Sequence, residues 1–155
     1  MAINPNTDFS SGAVLTAAQQ NRFPRGVMSY VEATGLDTYG TTEAVKLTAP
    51  AFTAVANRYY KMTYFEPTIQ LASGTSQTSE MRIRQTNASG TVFAFSQLQS
   101  QSATQTSQFG ITETFVTLSA GSITVVATMK SSTGTPALFR SGNRAFLLIE
   151  DLGPA

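Results

Sequence analysis

Arg58-Tyr59-Tyr60-Lys61-Met62-Thr63-Tyr64-Phe65 puts Tyr60, Met62 and Tyr64 on one side of an extended chain and Tyr59, Lys61 and Thr63 on the other. Aromatic side chains alternating with period two describe a strand with one buried and one open face. Pro67 is expected to close this strand, because proline has no N–H to give to a ladder. The same signature recurs upstream at residues 27–34, 44–47 and 52–56, the last two divided by Pro50, with a turn-rich segment at 35–42. Downstream, Met81-Arg82-Ile83-Arg84-Gln85 alternates with Met81 and Ile83 inward and both arginines outward. Residues 87–90 then turn the chain into a second strand at 91–98, where Phe93 and Phe95 share a face.

Further strands are expected at 111–118 and where Ile123, Val125, Ala127 and Met129 alternate with Thr124, Val126 and Thr128. The last run, 144–151, is apolar on both faces from Phe146 to Ile149, which suits a central strand or one covered by a neighbouring subunit. Residues 73–79 and 131–136 read as turns, and the Ser/Gln/Thr-rich stretch 97–108 as an exposed connection. Eight to ten short strands at this spacing predict an all-β fold, an antiparallel β-sandwich, with no internal repeat.

Composition agrees. Thr, Ser and Gln supply 49 of the 155 residues, a length that holds one ordinary domain. Charged residues are 12% of the chain, and the net charge is +1. The basic residues do not cluster beyond Arg22/Arg25 and Arg82/Arg84, so nothing argues for nucleic acid or a membrane surface as partner. The absence of Cys rules out disulfides and thiolate metal sites. The absence of His removes the commonest general base and metal ligand. No apolar run reaches the ~18 residues of a membrane span, and the first residues lack a signal-peptide layout, so a soluble protein made in a cytosol is expected.

The acidic residues cluster only at Glu150-Asp151. Two carboxylates such as Glu32 and Glu113 would suit glycoside hydrolysis, but nothing in the sequence brings them together. Lys46, Lys61 and Lys130 lack any serine-lysine motif, and no glycine-rich loop fits a phosphate. Asp37 and Asp151 lack oxygen-ligand spacing for calcium. The Asn87-Ala88-Ser89 sequon has meaning only in a secretory route. We therefore expect no catalytic, cofactor-binding or metal residues. Tyr30, Tyr39, Tyr59, Tyr60 and Tyr64 could stack on sugars where exposed; the plainer expectation places them in cores and subunit seams.

Ahead of the strands lies a joint, Thr16 to Met28. Thr16 is a helix N-cap candidate and residues 17–21 can form a helical turn. Pro24 stops that turn and extends Phe23, and Gly26 reads as a hinge before the first strand. This divides the chain into an N-terminal arm with a short helix, 1–25, and a β-sandwich domain, 26–155. Ile3, Phe9, Val14 and Leu15 are the apolar side chains that would hold the otherwise polar arm against a partner.

Three blocks carry a family likeness. They are Leu15-Thr16-Ala17-Ala18-Gln19-Gln20-Asn21-Arg22-Phe23-Pro24-Arg25-Gly26-Val27, the stretch Phe52-Thr53-Ala54-Val55-Ala56-Asn57-Arg58-Tyr59-Tyr60-Lys61-Met62-Thr63, and Phe146-Leu147-Leu148-Ile149-Glu150-Asp151-Leu152-Gly153-Pro154. Together they resemble small virion proteins of tailed bacteriophages, of the minor tail, fibre and head-decoration type. The usual motif has Met where Gln20 stands and Leu where Phe23 stands; residues 73–110 match only in strand rhythm. The resemblance implies a jelly-roll of the C1q/TNF kind that forms a homotrimer. It implies a non-enzymatic structural role in a virion assembled in the host cytoplasm, as a minor tail or tail-tip component, with capsid decoration, head fibre or host-glycan adhesin as alternatives. Ile3, Phe9, Val14, Leu15, Arg22, Phe23, Pro24 and Arg25 would then be the anchor and assembly contacts to other virion proteins. No cofactor, nucleic acid or membrane insertion is implied.

Overall fold

The alternation at residues 58–65 continues further than expected. In the computed structural model, which describes residues 12, 14, 16–71, 76–100 and 106–155, one strand, β5, runs Arg58–Leu71. Tyr60, Met62, Tyr64, Ile69 and Leu71 are all fully buried along it. Pro67 does not end β5 because no neighbour needs its N–H. The pairing with one flanking strand shifts between Glu66 and Ile69, and that with the other stops at Phe65. Pro67 sits in that irregularity, where a missing donor is tolerated.

Eleven further strands and one helical turn complete the described chain. The helical turn α1 is Ala17–Gln20, and β1 begins at Gly26 and ends at Ala33. The remaining long strands are β3 (Ala44–Thr48), β6 (Gln77–Gln85), β7 (Val92–Ser100), β8 (Thr106–Thr117), β10 (Val125–Ser131) and β12 (Ala145–Pro154). Four strands have three residues each: β2 (Leu36–Thr38), within the segment that reads as a turn, β4 (Phe52–Ala54), within the strand expected at 52–56, β9 (Gly121–Ile123) and β11 (Ala137–Phe139). The stretch 97–108 is not an exposed connection throughout, since β7 extends to Ser100 and β8 starts at Thr106. Residues 97–100 pair with 77–80 and residues 106–108 with 69–71 through the backbone, which needs no apolar side chain, and 101–105 lie outside the described residues.

The eight longer strands pair first with last (β1·β12), second with seventh (β3·β10), third with sixth (β5·β8) and fourth with fifth (β6·β7), all antiparallel. Two more pairings, β12·β5 and β10·β6, join these ribbons into sheets. The first sheet is β1-β12-β5-β8, with β11 and β2 extending it beyond the end of β12; the second is β3-β10-β6-β7. Successive ribbons therefore alternate between two sheets, as when one long hairpin with its tip at residues 86–91 is wrapped around a core. That order is a jelly-roll.

Between the sheets, Tyr60, Met62, Tyr64, Leu147 and Ile149 of the first meet Met81, Ile83, Ala127 and Met129 of the second, all fully buried. Met81 and Ile83 thus face inward while Arg82 and Arg84 lie on the outer face, as their alternation predicts. β12 occupies the expected central place, between β1 and β5.

Candidate assembly face

The joint folds as its local chemistry dictates. The Thr16 side chain accepts from the Gln19 N–H at 3.2 Å, and the Gln19 side chain accepts from the Thr16 N–H at 2.9 Å, a reciprocal cap. After Asn21 the chain is clamped to the body. Arg58 donates through Nη1 to the Asn21 carbonyl at 2.5 Å and through Nη2 to the Phe23 carbonyl at 2.6 Å. The same guanidinium forms a fork with Asp151, Nε to Oδ2 at 2.6 Å and Nη2 to Oδ1 at 2.7 Å, both side chains being buried. Asp151 also accepts from the backbone N–H of Gly153 at 2.8 Å and from that of Arg25. Burial alone would raise the Asp151 pKa; the Arg58 fork and these two N–H groups outweigh it and hold the carboxyl below its ordinary range.

Gly153 suits the clamp through its backbone, since its φ of +109° is one that residues with a side chain rarely adopt. Arg22, Phe23, Pro24 and Arg25 remain exposed, as does Val14, whereas Ile3, Phe9 and Leu15 lie outside the described residues. Sequence reasoning passed over Arg58 and Asp151 as joint residues. No local signal marks the fork or the clamp, because Arg58 lies 35 residues from Phe23 and 93 from Asp151.

The outer face of the first sheet is the more unusual surface. Across β1, β12, β5 and β8 the register aligns Glu32, Phe146, Phe65 and Ile111 in one row and Tyr30, Leu148, Thr63 and Glu113 in the next. A third row holds Val27, Glu150, Lys61 and Phe115. The Phe65 and Phe146 rings lie 5.4 Å apart and Tyr30 and Phe146 6.2 Å apart, a stacked aromatic ladder. Val27, Tyr30, Ile111, Phe115 and Leu152 are exposed around it.

The charges on this face are largely cancelled within it. Lys61 lies 2.9 Å from Glu113 and opposite Glu150 in the ladder, and Arg144 pairs with Glu32. Hydrogen bonds from Arg144 and then Tyr30 hold Glu32 below its ordinary pKa, and Lys61 does the same for Glu113. Glu32 and Glu113 share this face but stand on strands three spacings apart, roughly 14 Å at ~4.8 Å per strand. That exceeds the ~5–9.5 Å separation of a glycosidase pair.

Elsewhere the carboxylates serve architecture. Glu66 accepts from Arg140 at 2.5 and 3.0 Å and from the Tyr64 hydroxyl at 2.6 Å, wholly inside the fold. Glu43 takes Arg82, Arg84 and Thr128 on the outer face of the second sheet. Of the eight described acidic residues, all but Glu150 lie within an ion pair. Asp37, weighed for calcium, pairs with Lys46 at 3.2 Å. Among the described residues no acidic group is arranged to hold a metal, and no helix is long and apolar enough to cross a membrane.

Three of the five tyrosines follow the plainer expectation of a place in the core. Tyr39, Tyr60 and Tyr64 are buried, and Tyr59 is half-buried; Tyr30 alone of the five is exposed. Tyr39 hydrogen-bonds Ser79 at 2.5 Å across the sheets, and burial pushes its pKa up to about 12.

No family model matches this chain, and no curated protein does. Similar solved structures include an arabinose-bound α-L-arabinofuranosidase, 12% identical at a TM-score of 0.35 over 94% of this chain and 26% of that one. Infectious bursal disease virus, Gx strain, is 10% identical at a TM-score of 0.33 over 85% of this chain and 42% of that one. The chain thus spans well under half the length of either. At these scores neither likeness carries an argument.

Proposed function

We propose that this protein is a non-enzymatic structural component of a virus particle, a homotrimer displayed on a tailed-phage virion as a minor tail or tail-tip protein. The observation that carries the reading is the outer face of the first sheet. An aromatic ladder with neutralised charges on a sheet face is suited to burial against other copies of the chain, since large exposed apolar patches are uncommon on monomers. The use of carboxylates in ion pairs supports the non-enzymatic part. The likeness of the three sequence blocks to phage virion proteins supports the location. In this reading the exposed joint, clamped by Arg58, presents Arg22, Phe23, Pro24 and Arg25 to the particle, with residues 1–15 as the anchor.

Light scattering of the full chain should give the mass of three copies, and Leu148→Glu, in the middle of the ladder, should give folded monomers. A wild-type protein that stays monomeric at micromolar concentration overturns the trimer. Removing residues 1–15 should leave a folded body that no longer enters particles. Imaging of particles labelled at Ala155 then separates tail from capsid, and label at neither place rejects the virion role.

A further inference from the structure

The edges of β7 and β8, unpaired among the described residues, flank a cleft of about 550 Å³, within the ~300–1,000 Å³ range of small-molecule sites. Its origin lies in Gly110. A Cβ at that position would strike the Met81 sulfur and come within 2.8 Å of Ile69 Cδ1, so β8 approaches the opposite sheet as closely as a bare backbone allows. Strand alternation then turns the neighbours Phe109 and Ile111 outward, and both are more than half exposed. Leu98 of β7 supplies the apolar wall opposite, and Ser96, Gln97, Ser107 and Gln108 complete the lining.

From this arrangement we infer that the cleft between β7 and β8 binds a neutral carbohydrate, with the Phe109 ring as stacking platform and Gln97 and Gln108 as hydrogen-bonding groups. The lining contains no charged side chain, so an acidic sugar or a charged peptide finds no counter-charge there. A purely apolar ligand, such as an acyl chain, would strip water from two amides and a hydroxyl without replacing their hydrogen bonds. A pyranose satisfies both halves of the lining. Its C–H face covers an aromatic ring, while its hydroxyls donate to and accept from amides that each carry two donors and an acceptor. This site shares none of the five tyrosines, and of its lining only Ile111 also stands in the rows of the ladder.

The test is a titration of the full chain, followed by heteronuclear NMR, with neutral gluco-, galacto- and manno-trisaccharides, a sialylated trisaccharide and a medium-chain fatty acid. At least one neutral sugar should shift the signals of Gln97, Leu98 and Phe109. Phe109→Ala should weaken its binding roughly tenfold and Gln108→Ala severalfold, with the spectrum otherwise unchanged. Phe95→Ala, an exposed ring outside the lining, should bind as wild type. The inference fails if no neutral sugar binds, if the sialylated sugar or the fatty acid binds more tightly, or if a folded Phe109→Ala protein keeps full affinity.

Discussion

Arg58 and Asp151 stand 93 residues apart and form a buried fork, and the same guanidinium holds the Asn21 and Phe23 carbonyls. One side chain therefore joins the start of β5, the end of β12 and the segment leading into β1. Replacing Arg58 by Met leaves a buried carboxylate with no cation, a change that costs about 3–5 kcal/mol. Urea unfolding should show that loss. Arg58→Met with Asp151→Leu should recover only part of it, because the Asn21 and Phe23 carbonyls still lose their donors. Trypsin should also cut Arg58→Met faster than wild type after Arg22 and Arg25. Equal cutting rates would mean that the clamp does not hold the joint.

Stability should be flat with pH around neutrality and fall at both extremes. The chain has no His, so no side chain with an ordinary pKa titrates between about 5 and 8. On the acid side, Asp151 and Glu43 are both held low. Burial opposes this at each, and the Arg58 fork at Asp151 and the Arg84 and Thr128 hydrogen bonds at Glu43 outweigh it. Their contribution is complete above the ordinary carboxylate range, about 4, and is lost as pH falls through the depressed values, because the unfolded chain takes up protons first. On the alkaline side, burial raises Tyr39 to about 12 and lifts Tyr64 well above its usual value, with the Glu66 charge adding to the second. That contribution is complete below about 10 and is lost as pH rises from there through the folded values. Urea midpoints across the pH range check both limbs. Asp151→Asn should flatten the acid limb, and Tyr39→Phe should flatten the alkaline one.

Much of this fold can be read locally, because alternation is a local property. Tyr60/Met62/Tyr64 and Met81/Ile83 announce their buried face within a few residues, and Thr16 announces its cap with Gln19 three positions on. What could not be read depends on distant partners. Pro67 is harmless only because the pairing of β5 to both neighbours is interrupted there. Tyr39, in a segment that reads as a turn, is buried because its N–H reaches the Pro136 carbonyl at 3.2 Å and its hydroxyl reaches Ser79. The aromatic outer face of the first sheet was half legible. Phe146 to Ile149 signalled a strand covered on both sides, but the ladder with Phe65 and Tyr30 needs the register of three strands.

Gly110 faces Met81 of the opposite sheet, and a methyl group there must displace Met81 and Ile69. Gly110→Ala should lose about 1–3 kcal/mol in urea unfolding, the range for overpacking a dense core. The loss should be smaller in a Met81→Ala background, where the cavity accepts the new methyl. A double-mutant cycle measures this coupling. Strict additivity would show that the two sites do not touch.

Thr86 carries strain that a single substitution can remove. It lies at the entrance to the β6–β7 turn with φ at +67°, where a β-branched side chain crowds its own backbone. The position is fixed from outside, since the Thr86 N–H donates to the Thr124 carbonyl at 2.9 Å and the Gln85 N–H to the Thr91 carbonyl at 2.9 Å. Both are main-chain bonds and survive any replacement except proline. Asn enters the left-handed region more readily than any β-branched residue, and unlike Gly it adds little entropy to the unfolded chain. Thr86→Asn should therefore raise stability by about 1 kcal/mol. Thr86→Gly should give less, because its greater unfolded freedom offsets part of the relief. Urea midpoints of the two variants against wild type decide the matter. A midpoint for Thr86→Asn at or below wild type would show that the Thr86 side chain stabilises the turn by more than its backbone strain costs.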